Sequence, residues 1–418
     1  ERNVPDPDEY VRIPADQLKP RDGRYDIRVT NELEEVMYVD RLQLVAVDHP
    51  AGTEVYPNEG LKDPPRPPFK LYTTRDAHPP LSAVDGQGRD ELPAISRLDR
   101  KYVDDFRLTP IRGFADMHSL TMNTGSAASK RTVLLMTGWT DYAFSSDSVA
   151  ASQSGLKLVS PYVQVKNARG EWQTVIHDMG FPVGRPQTVV VDLTGKFLTE
   201  DREVRVVTNM RIYWDRILVD NSAGDFPVKM TRLDPSVATL HWRGFSAQSS
   251  PDGKEPYGYD YGRVSRVSTW KLMPGRYTRE GDVRDLLKNS DDMFVVSRTG
   301  DEIALSFDAS QFPTVAKGWQ RTFLLYVDGF SKEMDINSAS PDQVSPLPFH
   351  AMRHYPYAPP ETYPMTRERR EYIDRYNTRI VTNTLPPIED LFLPGSPEVP
   401  EPAEITPLAN KSAGKRLR

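Results

Sequence analysis

The feature that most constrains this chain is its period-two apolar pattern. Residues 204–219 read VRVVTNMRIYWDRILV, in which β-branched and aromatic residues alternate with polar ones. Successive side chains of a strand point to opposite faces. The spacing predicts Tyr213, Asp215, Ile217 and Val219 on one face, with Trp214, Arg216 and Leu218 on the other. Further strands are expected near residues 25–29, 36–47, 132–137, 162–165, 188–193, 302–307 and 322–327. Gly, Pro, Asn and Asp separate them at short intervals, as in sandwiches and jelly rolls. Helix is expected only over 91–98, 282–289 and, more strongly, 366–379, so the expected fold class is all-β.

Self-comparison predicts a duplicated β-sandwich or jelly-roll unit. Residues 27–45 echo 204–219, each carrying Val-Thr-Asn, then Tyr-x-Asp-Arg, then an apolar end. FKLY (69–72) echoes WKLM (270–273), KYVDDF (101–106) echoes DDMFVV (291–296), and RTVLLMTGW (131–139) echoes RTFLLYVDGF (321–330). The two units should superpose Val29 on Val207, Asp40 on Asp215 and Leu134 on Leu324. The expected layout is a first unit over 1–142, a second over 143–335 and an extended tail over 336–418. The second unit has an upstream portion, 155–196, whose counterpart in the first would precede Glu1. The missing strands are expected from upstream in the same polypeptide or from a partner chain.

The tail is defined by proline. Residues 341–418 hold 14 of the 37 prolines. Proline lacks an amide donor and is excluded from central strands, so this segment is expected to run over a surface. One exposed helix is expected in it, with Tyr372 and Tyr376 on one face. Leu391, Phe392 and Leu393, isolated between prolines, are its expected anchors.

Charge and composition narrow the function. Lys plus Arg is 53 against 59 Asp plus Glu, a net charge of −6 over 418 residues. That balance argues against nucleic-acid binding. No run of 18 apolar residues is present, so no membrane-spanning helix is expected. The chain has no cysteine, which excludes disulfides, thiolate metal sites and cysteine nucleophiles. The first residues, ERNVPDPDEY, lack the basic and apolar regions of a signal peptide. Any export signal is expected upstream.

Candidate chemistry is sparse. There is no G-x-S-x-G, P-loop or G-x-G-x-x-G, and no enzyme is expected. His350 and His354 are four apart, but Pro346, Pro348 and Pro356 crowd them, so local hydrogen bonding in a loop is the simpler reading. Asp328, Asp335 and Asn337 offer hard oxygens of the kind calcium prefers; an Asp/Asn-capped turn is the alternative. The paired acids Asp104–Asp105 and Asp291–Asp292 are read as turn residues at equivalent positions. Asp40 and Asp215 should be partly buried, each needing an Arg or backbone amide as partner. The best candidate ligand surface is PYGYDYG (256–262), with Tyr257, Tyr259 and Tyr261 flanked in sequence by Trp242 and Trp270. Flat rings with a hydroxyl suit sugar stacking or protein docking.

Several segments together carry a family resemblance: AVDHP (46–50), VYPNE (55–59), TGWTDYAFSSD (137–147), FPVGRPQTVVVDLTGK (181–196), TNMRIYWDR (208–216) and PLPFHAM (346–352). They resemble the C-terminal region of large bacterial proteins related to cartilage acidic protein, which carry an FG-GAP propeller followed by an ASPIC/UnbV domain. The resemblance covers most of the chain, beyond the propeller, and no FG-GAP calcium loop is present. It implies an extracellular, cell-surface or periplasmic location and a binding or scaffolding role, and it supplies no catalytic residues. Two functions follow as expectations. One is a non-catalytic, galactose-binding-like module for glycans or another surface ligand. The other is an assembly subunit that docks onto other chains or upstream domains through its tail and exposed aromatics.

Overall fold

The computed structural model describes residues 9–14, 16–62, 68–125, 131–222, 224–268 and 270–382. Its strands are β1 (Glu9–Ile13), β2 (Arg24–Thr30), β3 (Glu35–Pro50), β4 (Glu54–Pro57), β5 (Leu71–Thr74), β6 (Ser82–Asp85), β7 (Phe114–Asn123), β8 (Val133–Thr140), β9 (Tyr162–Lys166), β10 (Trp172–Ile176), β11 (Gln187–Asp192) and β12 (Glu203–Met210). They continue with β13 (Ile212–Asp220), β14 (Lys229–Leu233), β15 (Val237–Trp242), β16 (Phe245–Ser249), β17 (Gly258–Ser265), β18 (Gly275–Tyr277), β19 (Gly281–Asp282), β20 (Val295–Ser297), β21 (Asp301–Asp308), β22 (Trp319–Glu333) and β23 (Arg379–Val381). The helices are α1 (Leu92–Ile95), α2 (Ser145–Gln153) and α3 (Arg367–Tyr376). Strand makes up 43% and helix 8%, so the fold is all-β. No described helix is long and apolar enough to cross a membrane.

Two sandwiches carry the cores. In the first, sheet β1-β22-β3-β14 packs on sheet β19-β15-β21-β2. Leu44, Ala46, Phe323 and Leu325 meet Leu240, Ile303, Leu305 and Phe307 between them. In the second, β11-β8-β13 packs on β10-β9-β12-β7-β6, with Leu134, Met136, Ile217 and Val219 against Leu120, Met122, Val204 and Val206. The β4–β5 hairpin lies between the sandwiches. Its period-two alternation sends Val55 and Leu71 to the back of the first, beside Val45 and Leu324. Tyr56 and Tyr72 go to the back of the second, beside Leu135 and Leu218.

The sandwiches are nested, which corrects the expected division at 142/143. β3 pairs along its length with β22, and β2 pairs with β21. The strands that complete the first unit therefore come from the far end of the same chain, and the second unit, β6 to β13, is inserted between its two halves. The upstream portion of the first unit is present in part. β1 pairs with β22 as β11 pairs with β8.

The duplication is visible at two β-bulges. Ladder β3·β22 steps from Arg41–Asp328 to Val39–Gly329, leaving Asp40 as the extra residue. Ladder β13·β8 steps from Arg216–Thr137 to Trp214–Gly138, leaving Asp215 extra. A bulge shifts the alternation by one. Trp214 thus joins Ile217 and Val219 in the second core, while Leu218 faces the hairpin; strict alternation had paired Trp214 with Leu218. Counting from the bulges, Leu134 (opposite Val219) corresponds to Leu325 (opposite Leu44), one residue from the expected Leu324. Val29 and Val207 lie on corresponding strands but differ in facing. Val29 packs on the first core, whereas Val207 lines an outer depression with Arg205 and Tyr162. FKLY and WKLM do not correspond, since Leu71–Thr74 is a strand and residues 270–273 are not.

The tail behaves largely as its prolines dictate. After Glu333 the described residues contain α3, capped by the Thr366 side chain on the Arg369 amide. They also hold the three-residue β23, which pairs with β18 and was not expected. The charged outer face of α3 is exposed, while Tyr372 and Tyr376 on the other face insert into the first core. Leu391, Phe392 and Leu393 lie outside the described residues.

Candidate functional site

The expected aromatic surface is a β-hairpin. β16 and β17 pair from Ser249–Gly258 to Phe245–Ser265. Alternation on β17, broken by Gly258 and Gly262, leaves Tyr261 59% exposed, and Tyr257 just before the strand 44% exposed. Beneath the hairpin is a cleft of about 480 Å³ lined by Tyr259, Trp270, Arg263, Gln248, Phe245 and Glu32, among others. Two of the five expected aromatics, Tyr259 and Trp270, therefore meet in one cavity. Tyr259 and Tyr261 are neighbours, 6.3 Å apart and tilted.

The cleft floor is held in place. Glu32 is buried and accepts from the Ser246 amide at 2.7 Å and hydroxyl at 2.6 Å. The Trp270 indole N–H donates to the Glu32 carbonyl at 3.0 Å, which orients the ring. The hairpin's loop is tied to the second sandwich by Arg100. Its guanidinium donates to Asp252 (2.8 Å), the Lys254 carbonyl (2.9 Å) and the Pro256 carbonyl (3.2 Å). Hydrogen bonds from Arg100 and Ser250 hold the Asp252 carboxyl well below the usual range. Trp242 is placed elsewhere: Arg298 covers its ring at 5.9 Å, and a side chain on Gly300 would meet its indole nitrogen at 2.7 Å. It packs and does not line the cleft.

The expected calcium ligands are not brought together. Asp335 accepts from the Ser146 hydroxyl (2.8 Å) and the Asn337 amide (2.8 Å), and the Asn337 side chain donates to Ser146 (2.8 Å). Those two residues fasten the start of α2. Asp328 instead bonds His350 at 2.9 Å. The capped-turn reading holds for Asp335, whose carboxylate accepts two residues ahead.

A cluster that sequence reasoning missed surrounds the Asp40 bulge. Asp40 Oδ2 accepts the Asp292 amide at 2.9 Å; at the equivalent bulge Asp215 accepts the amides of Asp99 (3.1 Å) and Arg100 (3.2 Å). Arg100 and Asp292 share φ of 64° and 66°. So Asp291–Asp292 correspond to Asp99–Arg100, and the paired acids Asp104–Asp105 are not their equivalents. His350 arrives from the tail. Its Nδ1 lies 2.7 Å from Asp292 Oδ1, and its Nε2 contacts Asp328. Arg369 donates to Asp292 Oδ2 at 2.6 Å. Burial opposes charge on His350, but the bonds to Asp292 and Asp328 outweigh it and push the imidazole up to about 10. Burial pushes Asp40 up to about 7. His354 is exposed. Asp40, Asp291–Asp292 and His350 each stood out separately in the sequence, but nothing local marks them as neighbours.

Lys332, on the same strand as Asp328, is also buried at 1% exposure. Its ammonium donates to the Gln343 carbonyl (2.5 Å) and the Tyr355 hydroxyl (2.9 Å), and burial lowers it to about 8. His350, Tyr355 and Gln343 all belong to the tail. Compared with known proteins, the chain matches no family model, no curated protein and no solved structure.

Proposed function

We propose that this chain is a non-catalytic, exported binding module of the ASPIC/UnbV-related lineage, and that its ligand is a glycan held in the cleft under the β16–β17 hairpin. The observation that carries the reading is the meeting of Tyr259 and Trp270 in one cavity with Arg263 and Gln248. Flat apolar faces cover the C–H face of a sugar ring, and planar polar side chains bond its hydroxyls. The indole held by Glu32 and the loop held by Arg100 reduce the ordering cost of binding. Location outside the cytoplasm rests on the quoted family segments. The test is a glycan array followed by titration of the best binder. Tyr259→Ala and Trp270→Ala should each weaken binding at least tenfold, about 1.4 kcal/mol, and Trp242→Ala should not. An array with no binder, or binding indifferent to both substitutions, removes the reading.

A second reading, docking into a larger assembly, is favoured by the exposure of Tyr257 and Tyr261 on the hairpin rim. Exposed tyrosines suit a protein interface. The described part of the tail covers its own sandwich, so this reading rests on the hairpin rim. A stable partner chain that dissociates on Tyr261→Ala, with no glycan bound, would favour it.

A further inference from the structure

We propose that Asp40, Asp292 and His350 form a binding site for one divalent transition-metal cation, which fastens the tail to the first sandwich. Three segments converge there: the β3 bulge, the loop before β20, and the tail. Their candidate ligand atoms lie within 4.8 Å of one another. His350 Nδ1 is 2.7 Å from Asp292 Oδ1 and 3.6 Å from Asp40 Oδ2. Two ligands at zinc distance in a tetrahedral site stand about 3.4 Å apart, so little movement is needed.

The atoms around the cluster are arranged as they are around metal centres. A ligating histidine typically gives its other ring nitrogen to a carboxylate. Here His350 Nε2 lies 2.9 Å from Asp328 Oδ1, and Ser290 in turn donates to Asp328. Asp292 gives its second oxygen to Arg369 and turns the first toward His350. Asp40 is fully buried, and its Oδ1 has no hydrogen-bond partner. Such an orphaned buried oxygen is costly, and a cation held by both Asp40 oxygens would satisfy it.

Charge points the same way. Once His350 gives up the proton on Nδ1 to bind an ion, Asp40, Asp292 and Asp328 against Arg369 leave two negative charges, which one divalent ion cancels. Binding replaces the Nδ1 proton of His350, and that proton leaves to solvent. One nitrogen and two carboxylates suit zinc or manganese better than calcium, which prefers oxygen alone. The side chain of His350 is 29% exposed, which gives the ion a path. The second sandwich is an internal control. Its Asp215 sits at the same bulge, but Arg100 and Thr137 stand where the first has Asp292 and Asp328.

The experiment uses the full chain, stripped with chelator, reloaded with Zn²⁺ or Mn²⁺, freed of excess by gel filtration and assayed for metal by mass spectrometry. One equivalent is expected. Asp292→Asn and His350→Gln should reduce it at least tenfold, and Asp215→Asn should retain it. Metal retained equally by the first two variants, or none retained by the wild-type chain, overturns the proposal. Should those variants fail to fold, crystals of the wild-type chain soaked in Zn²⁺ decide. An anomalous peak between His350 Nδ1 and Asp40 supports the site, and a map without one refutes it.

Discussion

Gly329 lies so close to Tyr38 on the neighbouring strand that a β-carbon would collide with the Tyr38 carbonyl oxygen. Gly138 repeats this relationship with Tyr213, where the added carbon would sit 2.5 Å from the carbonyl. Gly329 pairs with Val39 and Gly138 with Trp214, each the residue before a bulged aspartate, so the close approach belongs to the duplicated unit. Backbone oxygens within a ladder cannot move aside cheaply. Gly329→Ala and Gly138→Ala should each destabilise by about 2–3 kcal/mol. Gly170, whose added carbon meets nothing within 4 Å, tests the assignment. Its φ of 77° makes Gly170→Ala costly through conformation alone, about 1 kcal/mol. Urea unfolding of the three variants should rank them in that order.

Asp215 ties the bulge of the second sandwich to the turn at Asp99–Arg100 by accepting both backbone amides. Asp215→Ala should cost about 2–3 kcal/mol by leaving two N–H groups without their partner. Asp215→Asn, which keeps the carbonyl acceptor, should recover at least half of that in the same unfolding assay.

The described tail should resist protease in the native state. Tyr372 is 4% exposed, and its hydroxyl donates to the Phe294 carbonyl at 2.7 Å. The Tyr363 hydroxyl donates to the Asp292 carbonyl at 2.7 Å. Trypsin should therefore leave Arg367, Arg369 and Arg370 uncut at times when an unfolded peptide is consumed. Tyr372→Ala should cost about 3–5 kcal/mol and should open these sites first. Equal cleavage rates in wild type and variant would refute the anchoring.

Glu35 and Glu333 face each other directly across β3 and β22. Burial pushes Glu35 up to about 7; a bond from Ser331 opposes this, and the charge on Glu333 adds to it. The unfolded side chain titrates near 4.5. Between these values the folded chain holds a proton that the unfolded chain has lost, so stability falls as pH rises through that window and levels off above about 7. The side chain is only partly covered, which reduces the effect to roughly 1–2 kcal/mol. Glu35→Gln should be more stable than wild type at pH 8 by that amount and about equal to it at pH 4. A stability difference independent of pH would exclude this assignment.

The strands, the all-β class and the fact of a duplication could be read from residue order alone. Each of these is written in local spacing, because alternation is a property of consecutive residues. The helix over 367–376 and its paired tyrosines were legible for the same reason. The nesting of the two units was decided only by tertiary structure, because nothing in residues 24–50 names residues 301–333 as their partners. The face of Trp214 was lost at the Asp215 bulge, since one unpaired residue inverts everything beyond it. In the cleft, Tyr259 was legible as an aromatic in a glycine-broken strand. Its meeting with Trp270, and the removal of Trp242, depended on which strand ends the fold brings together. The Asp40–Asp292–His350 cluster joins positions separated by up to 310 residues. Alternation cannot encode such a contact, and only closure of the first sandwich by its own tail creates it.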